Sequence, residues 1–264
     1  MLTIFAVVAR YGSLIWQHDI RTTAGHLAVV GQGWVEQLRQ NLAAPGLVRF
    51  IVFAAWTSFW MAFAGPFVPV FSFQELGIAP GTFTILVILA TGSGIFRWWL
   101  WGKEVDKHGC LPVLVIGLVL WELANYPWAI LDRENVWLLC PMWLAGGSVS
   151  VAYFAASFNF LPKLVPASAK VTGVSLHLAL TSMAAALAPI LASLLLTHFL
   201  AAGAGITAYR VVFVVKSTAI LAGLFLLRGL REPQLATHPS LTGAFRTIRQ
   251  LVAAQEASFL GRGG

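Results

Sequence analysis

Glu122 and Lys216 are ionisable side chains set deep within long apolar runs. A charge in such a run is costly in lipid, and by default it marks a proton relay, a solute contact or an internal counter-ion. At about 1.5 Å per helical residue, Lys216 lies about 12 Å from the Ala208 end of its run and Glu122 about 14 Å from the Leu131 end of its own. The depths agree, so an ion pair is possible. It would be structural or would couple protons, unless the two side chains do not meet. His177 and Thr181, four residues apart, share one helix face. A lone membrane histidine is either hydrogen-bonded between helices or a carrier of a ligand or proton. Trp56 and Trp60 repeat the four-residue spacing. With Trp143 and Tyr153 they can wall a cavity, or belong to the packed core and the aromatic belts.

Other chemistries are absent from the pattern. The histidines are scattered without ligand spacing, so no metal is expected. There is no G-x-x-x-x-G-K-[ST] loop to hold a nucleotide phosphate. Gly31-Gln32-Gly33 and Gly92-Ser93-Gly94 each lack the third glycine of a dinucleotide site. No catalytic constellation stands out, and neither an enzyme nor a cofactor is implied. Cys110 and Cys140 fall near opposite ends of the apolar runs, too far apart for the Cα separation of under about 7 Å that a disulfide needs.

Composition says where these residues sit. The chain has 264 residues, 58% hydrophobic and 10% charged, with a mean hydropathy of +0.80. A soluble domain carries about a quarter charged residues. The charge of +7 collects in short loops between apolar runs, which is a pattern of membrane topology and not of nucleic-acid binding. Six runs are long enough to cross a hydrocarbon core as helices: Leu47–Phe71, Pro80–Leu100, Leu111–Leu131, Val136–Leu161, Val171–Phe199 and Ala208–Leu227. Pro66, Pro69, Pro141 and Pro189 mark kinks or span ends. Lys and Arg alternate from side to side, with Arg39, Arg49, Lys103, Lys107, Lys163, Lys170, Arg228 and Arg231 on one side. The positive-inside rule then puts both termini in the cytoplasm and the protein in the cell membrane.

The division expected is a cytoplasmic linker over 1–46, a six-span bundle over 47–227 and a cytoplasmic tail over 228–264. Leu2–Ala9 is too short to span and lacks a preceding basic residue, unlike a cleaved leader. Val29, Val30, Trp34, Val35 and Leu38 recur at helical spacing among polar residues. Leu241, Phe245, Ile248 and Val252 do the same in the tail. Both read as amphipathic helices on the membrane surface or against a partner.

Between the second and third runs stands Gly102-Lys103-Glu104-Val105-Asp106-Lys107-His108-Gly109, read as a tight polar loop. Its glycines permit a sharp turn. Asp106 is suited to the N-terminus of the third span or of a neighbouring helix, where the macrodipole favours a carboxylate. The pattern G-x-x-x-D-K-x-G resembles the signature loop of the major facilitator superfamily. Gly102, Asp106, Lys107 and Gly109 match it, but Cys110 and Leu111 replace the usual following basic residue. This looks like the weaker copy in the second half of that fold, as do Arg39–Phe53 and Asn159–Pro189.

The resemblance covers about residues 40–230. It implies an all-α membrane protein of six transmembrane helices, built as two inverted three-helix repeats and forming half of a twelve-span transporter fold. It implies that the loop is a conformational latch, that the first and fourth spans face a central path, and that the third and sixth are peripheral. The function implied is secondary transport of a small solute by alternating access, by a half-transporter or fragment. Its partners would be the lipid bilayer, the solute and a second six-helix half, whether a separate chain or a second copy. The alternative is a six-span scaffold or assembly subunit without transport.

Overall fold

A computed structural model describes residues 33–232. The described residues are helical throughout, apart from turns and short 3-10 segments, and six of the helical segments are long and apolar enough to cross a membrane. Helix α1 (Trp34–Ala43) precedes them. The first span is α2 (Leu47–Ala64) and α3 (Phe67–Gln74), interrupted at Gly65-Pro66. The others are α4 (Pro80–His108), α5 (Cys110–Asn125) extended by a 3-10 turn over Tyr126–Ala129, α6 (Leu139–Leu164), α7 (Lys170–Ala201) and α8 (Ile206–Gly223). Pro69 and Pro141 fall in the first turns of α3 and α6, where the missing N–H would have had no intrahelical partner. Pro189 lies inside α7.

The packing has an internal symmetry. Extensive contacts join the second span to the fourth and the first to the fifth. Exchanging the first three spans for the last three turns one contact into the other. The third-on-fourth contact likewise maps onto the sixth-on-first. This is the arrangement of two three-helix repeats.

Small residues set the closest crossings. A Cβ at Gly147 would run into the Ala90 carbonyl of α4, and one at Gly117 would strike Ala152 of α6. Backbones approach there because nothing larger than hydrogen intervenes.

Two apolar layers fill the bundle. One, with Phe50, Leu114, Phe160 and Ile220, lies toward Gly109. The other, with Phe71, Leu131, Leu139 and Phe213, lies toward the opposite end. Trp60 packs against both. Glu122, Lys216 and Ser217 fall between the layers in chain order.

One expectation needs correction. Gly102–His108 is not a loop but the last two turns of α4, and the turn itself is Gly109 alone, at φ 88° and ψ 167°. Lys, Glu and Val sustain the helix, and Lys107 and His108 suit its C-terminal end. Within this bundle the third span is the most enclosed: Cys110 through Leu118 are all buried. The second and fifth spans are the most exposed. Helix α1 docks through its polar face. Asn41 Nδ2 donates to the Ala169 carbonyl at 3.0 Å and Ser168 Oγ to Gln40 at 2.8 Å, while Trp34, Val35 and Leu42 point away. Val29 and Val30, Leu2–Ala9, and the tail set Leu241, Phe245, Ile248 and Val252 lie outside the described residues.

Candidate functional site

Midway along the bundle, α5 carries Trp121, Asn125 and Trp128 on one face. The four- and three-residue spacings produce that face directly. These side chains separate two adjoining lobes of a cavity, together with Val68. One lobe, of about 170 Å³, is closed by Gly65 and Met61 of the first span and by Phe213, Lys216 and Ser217 of the sixth. The other, of about 240 Å³, is closed by Trp143, Gly146 and Ser150 of the fourth. The walls are mostly apolar with a few polar groups, the usual make-up of a small-molecule site.

Lys216 Nζ lies 2.6 Å from Glu122 Oε2. The Glu122 side chain is fully buried and that of Lys216 is 12% exposed. Lys216 lines the cavity, whereas Glu122 lies behind it. Glu122 Oε1 has no hydrogen-bond partner among the described residues, and neither does the buried Ser217 Oγ. An ammonium carries three N–H groups, and only the one directed at Glu122 is used here. The pair is therefore incompletely satisfied on both sides. That is costly in a buried setting.

The other side chains singled out from the sequence go elsewhere. Trp143 does line the second lobe, with its ring against Phe83 and its N–H unpaired among the described residues. Tyr153 does not. It is 5% exposed and packs in the core beside Trp121 and Phe154, because Gly117 lets α5 come up against its backbone.

Trp56 donates its indole N–H to the Ala219 carbonyl at 2.7 Å and covers Gly223, so it faces the sixth span. Trp60 stacks among Trp56, Phe59 and Phe63. His177 lies flat against Phe50, with ring centroids 5.9 Å apart. The Thr181 hydroxyl returns to the His177 carbonyl at 2.8 Å. His177 and Thr181 thus build no joint polar site. Trp121, Asn125 and Trp128 were passed over in the sequence, although their spacing beside Glu122 was the available signal.

A second polar cluster lies at the Gly109 end. Asp106 and Lys107 are exposed and make no ion pair among the described residues. The carboxylate at the start of the third span is Glu232 instead. Its Oε2 accepts the Cys110 N–H at 2.8 Å and lies 3.4 Å from the Leu111 N–H, and its Oε1 accepts from Lys163 Nζ at 2.7 Å. Lys163 also reaches Cys110 Sγ at 3.3 Å. Buried Leu230 anchors the segment that delivers Glu232. Asp106 is exposed, and the carboxylate at the start of the third span comes instead from the segment that follows the sixth. Gly102 has open space where a Cβ would stand.

The family model described as Major Facilitator Superfamily matches residues 45–260. No solved structure matches the chain.

Proposed function

The chain belongs to the major facilitator superfamily, and from that premise we propose that it moves a small solute by alternating access around the Trp121–Asn125–Trp128 cavity. Members of this family are membrane carriers of small solutes, not enzymes, and six apolar helices make this chain a multi-pass membrane protein. The observation that carries the proposal is the cavity itself. A mostly apolar bundle places an incompletely satisfied ion pair, Asn125 and three Trp side chains around one space between its two apolar layers. Such a space has no use in a bundle that only packs.

In this proposal the second and fifth spans meet a second six-helix bundle. Their faces expose Ile88, Ile95 and Phe96 on one span and Met183, Leu187 and Leu194 on the other. A rocking bundle also needs a cavity that opens in turn to each side. The end bearing Lys103, Lys107, Lys163, Lys170, Arg228 and Arg231 is placed in the cytoplasm and the bundle in the cell membrane. The Gly102–Gly109 segment acts as a latch through its Gly109 turn, with Asp106 and Lys107 presented outward to the second bundle.

The experiment is cysteine cross-linking in native membranes, with probes at Ile95 and Leu187. Cross-links to a second six-span chain, or to another copy, support a two-bundle carrier. Contact with lipid reagents alone at both positions would remove the second bundle from the account.

A further inference from the structure

We propose that the Lys216 side of the cavity binds the carboxylate of a small apolar or aromatic monocarboxylate, taken up together with one proton on Glu122. This rests on the transport reading and adds the substrate class. Three observations lead to it. First, the charged side chain that lines the lobe is that of Lys216, and its counter-ion Glu122 is fully buried and does not line it. A ligand entering the lobe meets positive charge, with two N–H groups still unpaired among the described residues. Second, Ser217 lies on the same wall, and its buried Oγ has no partner among the described residues. Third, the other walls are apolar apart from Asn125, and include the rings of Trp121, Trp128 and Phe213 around about 170 Å³, a space suited to one small ring or a short chain.

Charge balance supplies the proton. The empty site is neutral, because Lys216 and Glu122 cancel. Adding an anion alone leaves one uncompensated negative charge in a buried site, and protonating Glu122 alone leaves one positive. Both are strongly disfavoured. Adding the two together restores neutrality. The proton goes to the Glu122 carboxylate, and the anion becomes the counter-ion of Lys216 through the N–H groups that Glu122 does not use. No other acidic or basic side chain lines either lobe. The nearby titratable groups are engaged elsewhere: Tyr126 with Thr218, Arg210 with the Leu131 carbonyl, and Tyr153 in the core.

Benzoate is the probe, with benzamide and benzylamine as its neutral and cationic counterparts. Binding and thermal stabilisation are measured on the full chain in detergent, so that neither a membrane nor a second bundle is needed. Loss of uptake with binding intact would strike the transport reading and not this one. Wild type is expected to bind benzoate at least about tenfold more tightly than benzamide or benzylamine. Its apparent affinity should fall by up to about tenfold per pH unit as pH rises, because one proton is bound with each anion. Glu122→Gln should bind benzoate with no pH dependence, and the Glu122→Gln/Lys216→Met double variant should not bind it. Folded wild type that ignores benzoate, binds benzamide equally well, or binds benzoate with the same affinity across the pH range overturns the proposal.

Discussion

Two Lys–Glu pairs in this bundle have nearly the same length and opposite characters. Lys163–Glu232 closes at 2.7 Å and Lys216–Glu122 at 2.6 Å, with both carboxylates buried. Both oxygens of Glu232 are used, one by Lys163 and the other by the backbone at the start of α5. Glu122 leaves one oxygen without a partner among the described residues, and its lysine lines a cavity. A short distance thus says little about role. The lone pairs and N–H groups left over say more. The first pair is a helix cap that ties the end of the sixth span to the third and fourth. The second holds unused bonding capacity at the wall of a space.

The sharpest way to break the comparison is to neutralise each carboxylate in turn. Glu122→Gln strands the Lys216 charge in the bundle and should cost about 3–5 kcal/mol, read as lost detergent thermostability. Adding Lys216→Met should recover most of it, since no unpaired charge then remains. Additive losses in that cycle would mean the two side chains are not coupled. Gly109→Ala comes next, at about 1–3 kcal/mol, because φ 88° with ψ 167° belongs almost entirely to glycine. At the cap, Glu232→Gln should cost about 1–2 kcal/mol by weakening the charge-assisted bonds to Cys110 and Lys163. A loss at Glu232 as large as that at Glu122 would erase the distinction. The smallest effect is expected at Glu104, whose carboxylate lies 2.9 Å from His108 one turn on. Glu104→Ala should move stability by about 0.5 kcal/mol or less.

The six spans were legible because long uncharged runs in lipid have only helical solutions. The depths of Glu122 and Lys216 were legible too, since rise per residue is fixed. Rotation about each helix axis was not. Helices that are apolar nearly all round carry no stripe to show which side faces a neighbour, so nothing in the sequence tells that Tyr153 and Trp56 line neither of these two lobes. The Gly102–His108 segment reads as a loop by polarity, yet its residues also sustain a helix until Gly109 forces a turn. Glu232 was invisible for another reason. It stands 122 positions from the backbone it caps, and no local pattern records that.

The most direct test of the carrier account is two-sided access to one cavity position. Asn125 lines both lobes, so Asn125→Cys is placed in a chain whose Cys110 and Cys140 are replaced. An impermeant thiol reagent is then applied to right-side-out and inside-out vesicles. The account predicts labelling from each side, with benzoate slowing both. Labelling from one side only, or from neither, would contradict alternating access through this cavity.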